Sequence, residues 1–404
     1  MAKQGAKTTV PRLRFPEFQD AGEWTIGELE GVANFVNEKI SVSTLSTCDY
    51  ISTENLLPDY GETVVSTKLP DVASVTRYKC GDVLISNIRP YLKKVWRADK
   101  DGGASNDVIV VRAKTSLSEA FLSLVLRNDA FIAYVMESAK GVKMPRGDIG
   151  AMRQYPLAYP TPSEQQKIAD CLTSLDEVIA AQGRKVEALK AHKRGLMQQL
   201  FPREGETRPR LRFPEFRDAP EWKGKLLGQA ATFYNGRAYA KEELLERGKY
   251  LVLRVGNFFT NDLCYYSDLE LDDTKYCDEG DLLYAWSASF GPRMWRGGKT
   301  IYHYHIWKVV EKEGVSKAFL FYRLDADTEE MRARTANGIG MFHITKGTIE
   351  SWMSAFPNLE EQQRIADCLS SLDTQITAET NQLAALKTHK QGLMQQLFPA
   401  PEVV

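Results

Sequence analysis

No disulfide framework and no zinc ligand set can be drawn through this sequence, because its six cysteines are scattered without one CxxC pair. No apolar run approaches the roughly 20 residues that would span a membrane. The N-terminal MAKQGAKTTVPRLRF also lacks an apolar stretch of signal-peptide length. A reduced, cytoplasmic protein is the expectation. An excess of one charge is missing too: 52 Lys and Arg stand against 53 Asp and Glu, a formal net charge of -1. No global basic field marks a nucleic-acid binder, so any such footprint must be local. Catalytic signatures are absent. There is no Gly-rich phosphate loop, HExxH or GxSxG, and no Asn-Pro-Pro-aromatic tetrad of the kind that holds a flipped base. The acids around Pro58-Asp59 and Pro70-Asp71 lack the following acid-x-Lys of a nuclease core.

What is present is a chain written twice. PRLRFPEFQDAGEW at 11–24 returns as PRLRFPEFRDAPEW at 209–222, and the 39-residue EQQKIADCL…LMQQLFP at 164–202 returns at 361–399. Cys80 and Cys277, and Cys171 and Cys368, fall at matching places, so cysteine spacing follows duplication. Between these frames the sequences share only a skeleton. GDVLIS at 81–86 answers GDLLYA at 280–285, and AKGVKM at 139–144 answers ANGIGM at 336–341. Near-identical frames around divergent modules point to one architecture holding two readers of different targets. The division expected is 1–24 N-terminal segment, 25–160 first module, 161–202 helix and 203–222 linker. Then follow 223–357 second module, 358–399 helix and a 400–404 tail.

The repeated segments read as long helices. Ser163 and Gln166 form a capping-box pattern after Pro162. Ile168, Leu172, Leu175, Ile179, Val186, Leu189, Leu196 and Leu200 recur at alternating steps of four and three, with Gln182 and Lys193 in the gaps. Ile365, Leu369, Leu372, Ile376, Leu383, Leu386, Leu393 and Leu397 repeat the pattern, with Glu379 and Lys390 in the gaps. This narrow heptad seam asks for a helical partner rather than only a core beneath it. Each helix is about 55 Å long at 1.5 Å per residue and stops at Leu-Phe-Pro, where proline forbids continuation. Paired seams must run antiparallel, because each helix leaves a different module. The fold class expected is therefore two mixed α/β (α+β) recognition domains separated by a long antiparallel two-helix coiled coil, with an internal pseudo-twofold duplication. Strands are expected at Val83–Ser86, Val108–Arg112, Tyr250–Val255, Leu282–Trp286 and Ile301–Val309, and helices near 121–137 and 316–324.

Local cations provide the candidate interface. Arg89, Tyr91, Lys93, Lys94, Trp96 and Arg97 form a run without an acid, directly after GDVLIS. Ser287, Ser289, Arg293 and Arg296 stand at the matching place in the second module, and Arg237 and Tyr239 join them as candidates there. Lys140, Lys143 and Arg146 are answered by His343 and Lys346. Cations and short hydroxyls on loops suit phosphate contacts and base-edge hydrogen bonds. A solvated charged surface explains any one cluster, but recurrence at equivalent places is harder to explain that way. His303 and His305 share a strand face at metal-compatible spacing. Without a third ligand they read as packing residues, and no metal is expected.

Together, the repeated PRLRFPEF, the EQQ-IADCL-SLD helix starts and the GD-apolar strands resemble the specificity subunits of bacterial type I restriction–modification systems, over the whole chain. That resemblance implies a non-catalytic subunit binding double-stranded DNA, each module reading half of a split, asymmetric site and the helices setting the gap. It also implies two methyltransferase subunits that use S-adenosylmethionine to methylate adenine N6, and two restriction subunits that use ATP and Mg. No cofactor would be bound by this chain itself. Two other readings remain open from the residues: a self-contained modification enzyme, and a coiled-coil scaffold whose end modules bind protein.

Overall fold

The computed structural model describes residues 10–399 apart from 204, 260–262, 288–289 and 336–343. The chain forms two compact units, one of residues 1–182 with 382–404 and the other of 183–381. This division differs from one drawn at the ends of the helices. It cuts both long helices near their middles, so each unit holds the first half of one long helix and the second half of the other.

The first unit holds β1 (Thr25–Glu28), β2 (Ala33–Phe35), β3 (Lys39–Ser41), β4 (Tyr50–Ile51) and β5 (Ser74–Tyr78). It continues with β6 (Val83–Ser86), β7 (Val95–Arg97), β8 (Gly102–Ala104), β9 (Val108–Ala113) and β10 (Pro156–Tyr159). The second holds β11 (Lys223–Leu226), β12 (Ala231–Asn235), β13 (Tyr250–Leu253), β14 (Tyr265–Ser267) and β15 (Tyr276–Cys277). After these come β16 (Leu282–Ala285), β17 (Gly291–Met294), β18 (Thr300–Tyr302), β19 (Ile306–Glu311) and β20 (Met353–Phe356). The helices that matter are α1 (Glu119–Leu126), α2 (Asp129–Glu137), α3 (Pro162–Leu200), α4 (Lys317–Thr335) and α5 (Leu359–Leu397).

The principal sheet has the same order in each unit, β2-β9-β6-β7 and β12-β19-β16-β17, all antiparallel. Its central strands, VLIS and LLYA, are buried along their whole length, which is why they read as unbroken apolar runs. The smaller sheets share a kernel. A central strand (β8 or β18) pairs in parallel with one neighbour (β4 or β13) and antiparallel with the other (β5 or β15). A fourth strand then sits on opposite edges, β3 beside β5 in the first unit and β14 beside β13 in the second. The modules have diverged by where they extend a common kernel.

Two expected strands are revised. Tyr250–Val255 ends at Leu253 because the chain turns helical over Val255–Phe259. Ile301–Val309 is two strands in different sheets, so His303, Tyr304 and His305 lie at the crossover rather than along one strand face. The expected capping box is also corrected. Pro162 takes the first helical position, the Thr161 carbonyl accepts from Gln165 N at 2.9 Å, and Ser163 lies inside the helix. In α5 the cap is Asn358, whose Oδ1 accepts from Glu361 N at 2.9 Å.

Every seam position of α3 and α5 is buried or half-buried, while most positions between them are exposed. In the first unit Ile168 and Leu172 share a core with Leu393 and Leu397, and Asp176 pairs with Lys390 at 2.6 Å. In the second, Ile365 and Leu369 share a core with Leu196 and Leu200, and Lys193 pairs with Asp373 at 2.6 Å. The start of one helix lies beside the end of the other in each unit, so the pairing is antiparallel.

The repeated PRLRFPEF segment locks this arrangement. Arg14 Nε and Nη2 donate to Glu164 at 2.8 and 2.7 Å, and its Nη1 donates to Ala21 O. Arg212 repeats the fork on Glu361 at 2.7 Å for both bonds. Both glutamates are almost fully buried, and each accepts a further bond from the indole of Trp24 or Trp222. A buried carboxylate is tolerated because a bidentate guanidinium matches it. The following Gln165 accepts from Ser118 N and donates to Ser116 O and Pro160 O, and Gln362 does the same with Ser316 N, Gly314 O and Pro357 O. Leu13 N donates to Gln396 O, and Leu211 N donates to Gln199 O, both at 2.9 Å. The two ends of the described chain therefore meet in the first unit.

Candidate nucleic-acid interface

The residue after each central strand organises the candidate surface. In the first module Asn87 O accepts from Gly147 N at 3.2 Å, Ile88 bridges Arg146, and Arg89 N donates to Pro145 O at 2.8 Å. Two cation clusters some fifty residues apart in sequence thus become one surface. The second module makes the same bond, from Ile344 N to Trp286 O at 3.3 Å. Behind it a short helix is capped in each case, by Asp148 in the first module and by Thr345 in the second.

On the first surface, Arg89, Tyr91, Lys143 and Arg146 are exposed. Lys93 pairs with Asp129 at 2.9 Å, Arg97 with Glu119 at 3.6 Å, Lys140 with Asp148 at 2.8 Å and Arg146 with Asp107 at 3.1 Å. Lys94 is tied to Thr53 O at 2.7 Å, and Trp96 is core rather than surface. Arg89 and Lys93 bracket the turn Pro90–Leu92 with left-handed backbone, each at φ 53°. Asp59 and Tyr60, also left-handed, donate their amides to Leu92 O and Lys93 O. Left-handed non-glycine residues are uphill, and a group of them where two segments meet is the kind of strain that clusters at functional sites.

The second surface is aromatic instead. Trp286 Nε1 donates to Tyr304 O at 2.8 Å, and its ring lies 4.9 Å from His305 and 5.8 Å from Trp307. His303 stacks on Tyr239 at 6.4 Å, and Arg237 lies over the Tyr239 ring at 5.2 Å. Burial first, then the neighbouring charges of His305 and Arg254, push the His303 imidazole down to about 4. Arg237 is committed to Glu243 through two bonds of 2.7 and 2.9 Å. Ser287 is buried, Arg293 is exposed, and Lys346 lies 3.6 Å from Glu350. Ser289 and His343 lie outside the described residues. Among the described residues no group of three or more His, Cys, Asp or Glu side chains could hold a metal ion.

A common frame thus carries two chemically different surfaces at one topological position. The profile of the type I restriction modification DNA specificity domain matches residues 22–191 and again 220–388. The chain belongs to that specificity family. It is similar to the type I restriction enzyme MjaVIII specificity subunit of Methanocaldococcus jannaschii, with 22% identity over 74% of each chain. Its fold is that of the type I restriction–modification S subunit from M. genitalium, with a TM-score of 0.60 and 14% identity over 97% of this chain and 99% of the other. A chain from a structure of type I restriction–modification complex assembly and conformational transition gives a TM-score of 0.58. There the identity is 20%, over 94% of this chain and 98% of that one. The role of the two specificity modules is DNA recognition. No helix among the described residues is long and apolar enough to cross a membrane.

Some residues that shape these candidate surfaces carried no sequence signal. Tyr60 and Asp129 approach Lys93 from distant segments, and Asp129 lies inside the stretch near 121–137 that reads in sequence as one helix, where the structure starts a second one. Trp286 could have been picked out as an aromatic at the end of a GD-apolar strand, because it stands where Asn87 does in the other module, whereas His305 stands out in sequence only for its spacing from His303.

Proposed function

We infer that each module reads one half of a bipartite, asymmetric DNA site, and that the chain is the recognition subunit around which a type I complex assembles. The observation that carries this reading is the pairing of an unchanged frame with unlike surfaces at one place in both specificity modules. Two methyltransferase subunits and two restriction subunits are the partners this reading implies. S-adenosylmethionine would belong to the former, ATP and Mg to the latter. With a net charge of -1, the chain suits a role in which partners supply much of the phosphate contact.

The experiment is to assemble the chain with its methyltransferase partner and map methylated adenines on DNA. Replacing residues 223–357 by the corresponding module of a related protein should change one half of the mapped site and leave the other intact. A site altered in both halves, or in neither, would overturn the assignment of one module to one half-site.

A further inference from the structure

The cations of the first surface are not equivalent. Lys93, Arg97, Lys140 and Arg146 each face a carboxylate, and Lys94 is held by a carbonyl. Arg89 is exposed and makes no ion pair or side-chain hydrogen bond with any described residue. It also occupies a backbone position that an L residue adopts only at a cost, φ 53° and ψ 62°, immediately before a proline that itself disfavours helical backbone. Glycine is the residue that takes this conformation without penalty. An arginine there is explained if the side chain itself is wanted.

The turn is gripped at both ends. At the near end Arg89 N donates to Pro145 O, Arg89 O accepts from Leu92 N, and Pro90 is buried. At the far end Asp129 accepts from Tyr60 Oη at 2.7 Å and pairs with Lys93 Nζ at 2.9 Å. Gln391 Nε2 of α5 also reaches Asp129, at 3.5 Å. Burial pushes the Asp129 carboxyl up, but the bonds from Lys93 and Tyr60 outweigh it and hold the group below the ordinary carboxylate range. Asp129 therefore stays ionised, and it joins the turn to the helix.

A planar guanidinium on a fixed main chain, with no acid neutralising it, matches the paired O6 and N7 acceptors of guanine in the major groove. A flexible, acid-paired lysine suits a phosphate better. We propose that Arg89 reads a guanine within the half-site of the first module, and that Asp129 is the positioning residue that holds the reading turn. This rests on that module reading half of the site.

The test uses the full chain assembled with its methyltransferase partner, after its site has been mapped. Arg89→Gly removes the side chain while fitting the backbone better than the parent, so the variant should melt no lower. Discrimination should fall by about 10- to 100-fold at a single G·C pair of the first half-site, with the second half-site unchanged. Asp129→Asn, which leaves Arg89 in place, should relax the same position to a smaller extent. Unchanged discrimination in Arg89→Gly would overturn the proposal, as would a uniform loss across all sequences with a flatter salt dependence, the mark of a phosphate contact. The underlying reading fails by a different result: exchange of the whole first module that leaves both half-sites as they were.

Discussion

Lys193 Nζ lies 2.6 Å from Asp373 Oδ1, and Tyr322 Oη donates to the other oxygen of the same carboxylate at 2.8 Å. This lysine fills a gap in the leucine seam of α3, and the aspartate lies on α5. The duplication places Lys390 opposite Asp176 in the first unit at the same distance. There burial pulls the Lys390 ammonium down, although Asp176 acts against it.

A half-buried pair of this kind fixes which residues of two leucine seams face each other. Lys193→Ala and Asp373→Ala should each destabilise the second unit by about 1–2 kcal/mol, and the double variant by less than their sum. Denaturant unfolding followed by tryptophan fluorescence reads this unit preferentially, since five of the seven tryptophans belong to it. Strict additivity would show that the two side chains do not interact.

The forks on Glu164 and Glu361 should matter more, because both partners are buried. Arg14→Ala leaves a buried carboxylate without its cation, and should cost about 3 kcal/mol or more of the first unit's stability. Arg14→Lys should recover only part of that, since an ammonium cannot make two parallel bonds. A change within about 0.5 kcal/mol in equilibrium unfolding of Arg14→Ala would remove the fork from the stabilising frame.

Each unit completes its core with the second half of the long helix whose first half belongs to the other unit. Leu393, Met394, Leu397 and Phe398 serve the first unit, and Leu196, Met197, Leu200 and Phe201 serve the second. Both sets come from the sequence LMQQLF. A fragment of residues 1–207 therefore carries its own copy of the segment it has lost, and two fragments can exchange it. Sedimentation should find a dimer, and Leu200→Asp within the fragment should dissociate it. A stable, folded monomer of 1–207 would refute the exchange.

His303 ties the stability of the second unit to pH. Its folded-state value, about 4, lies below the roughly 6.5 of an unfolded histidine. Between those values the unfolded chain takes up a proton that the folded one refuses. Stability is then full above pH 6.5 and falls as pH drops toward 4, by on the order of 1–3 kcal/mol. Melting temperatures across that range should show the decline, and His303→Gln should flatten it relative to the parent. Parallel profiles for the two proteins would mean that other groups carry the acid sensitivity.

The duplication, the seam and most of the buried strands were legible in the sequence, because each is a periodic or repeated signal that local residues carry alone. The break inside Ile301–Val309 was hidden because Tyr302-His-Tyr-His-Ile306 looks like any apolar alternation, and only sheet pairing shows that the chain changes sheets there. The candidate cations were legible as a group but not individually. Ion pairing separates Arg89 from Lys93 and Arg97, and the acids concerned, Asp129 and Glu119, lie tens of residues away. Arg237 is a similar case, since the sequence does not show the fork it makes on Glu243.

Gln165 and Gln362 grip their modules only through peptide groups: Ser118 N, Ser116 O and Pro160 O in one case, Ser316 N, Gly314 O and Pro357 O in the other. A clasp that holds main-chain amides and carbonyls is blind to the side chains beyond it. Mutation can rewrite the lettering of a reading surface without loosening the hand that holds it. A chain built this way can change the message it recognises many times while inheriting one unaltered handle.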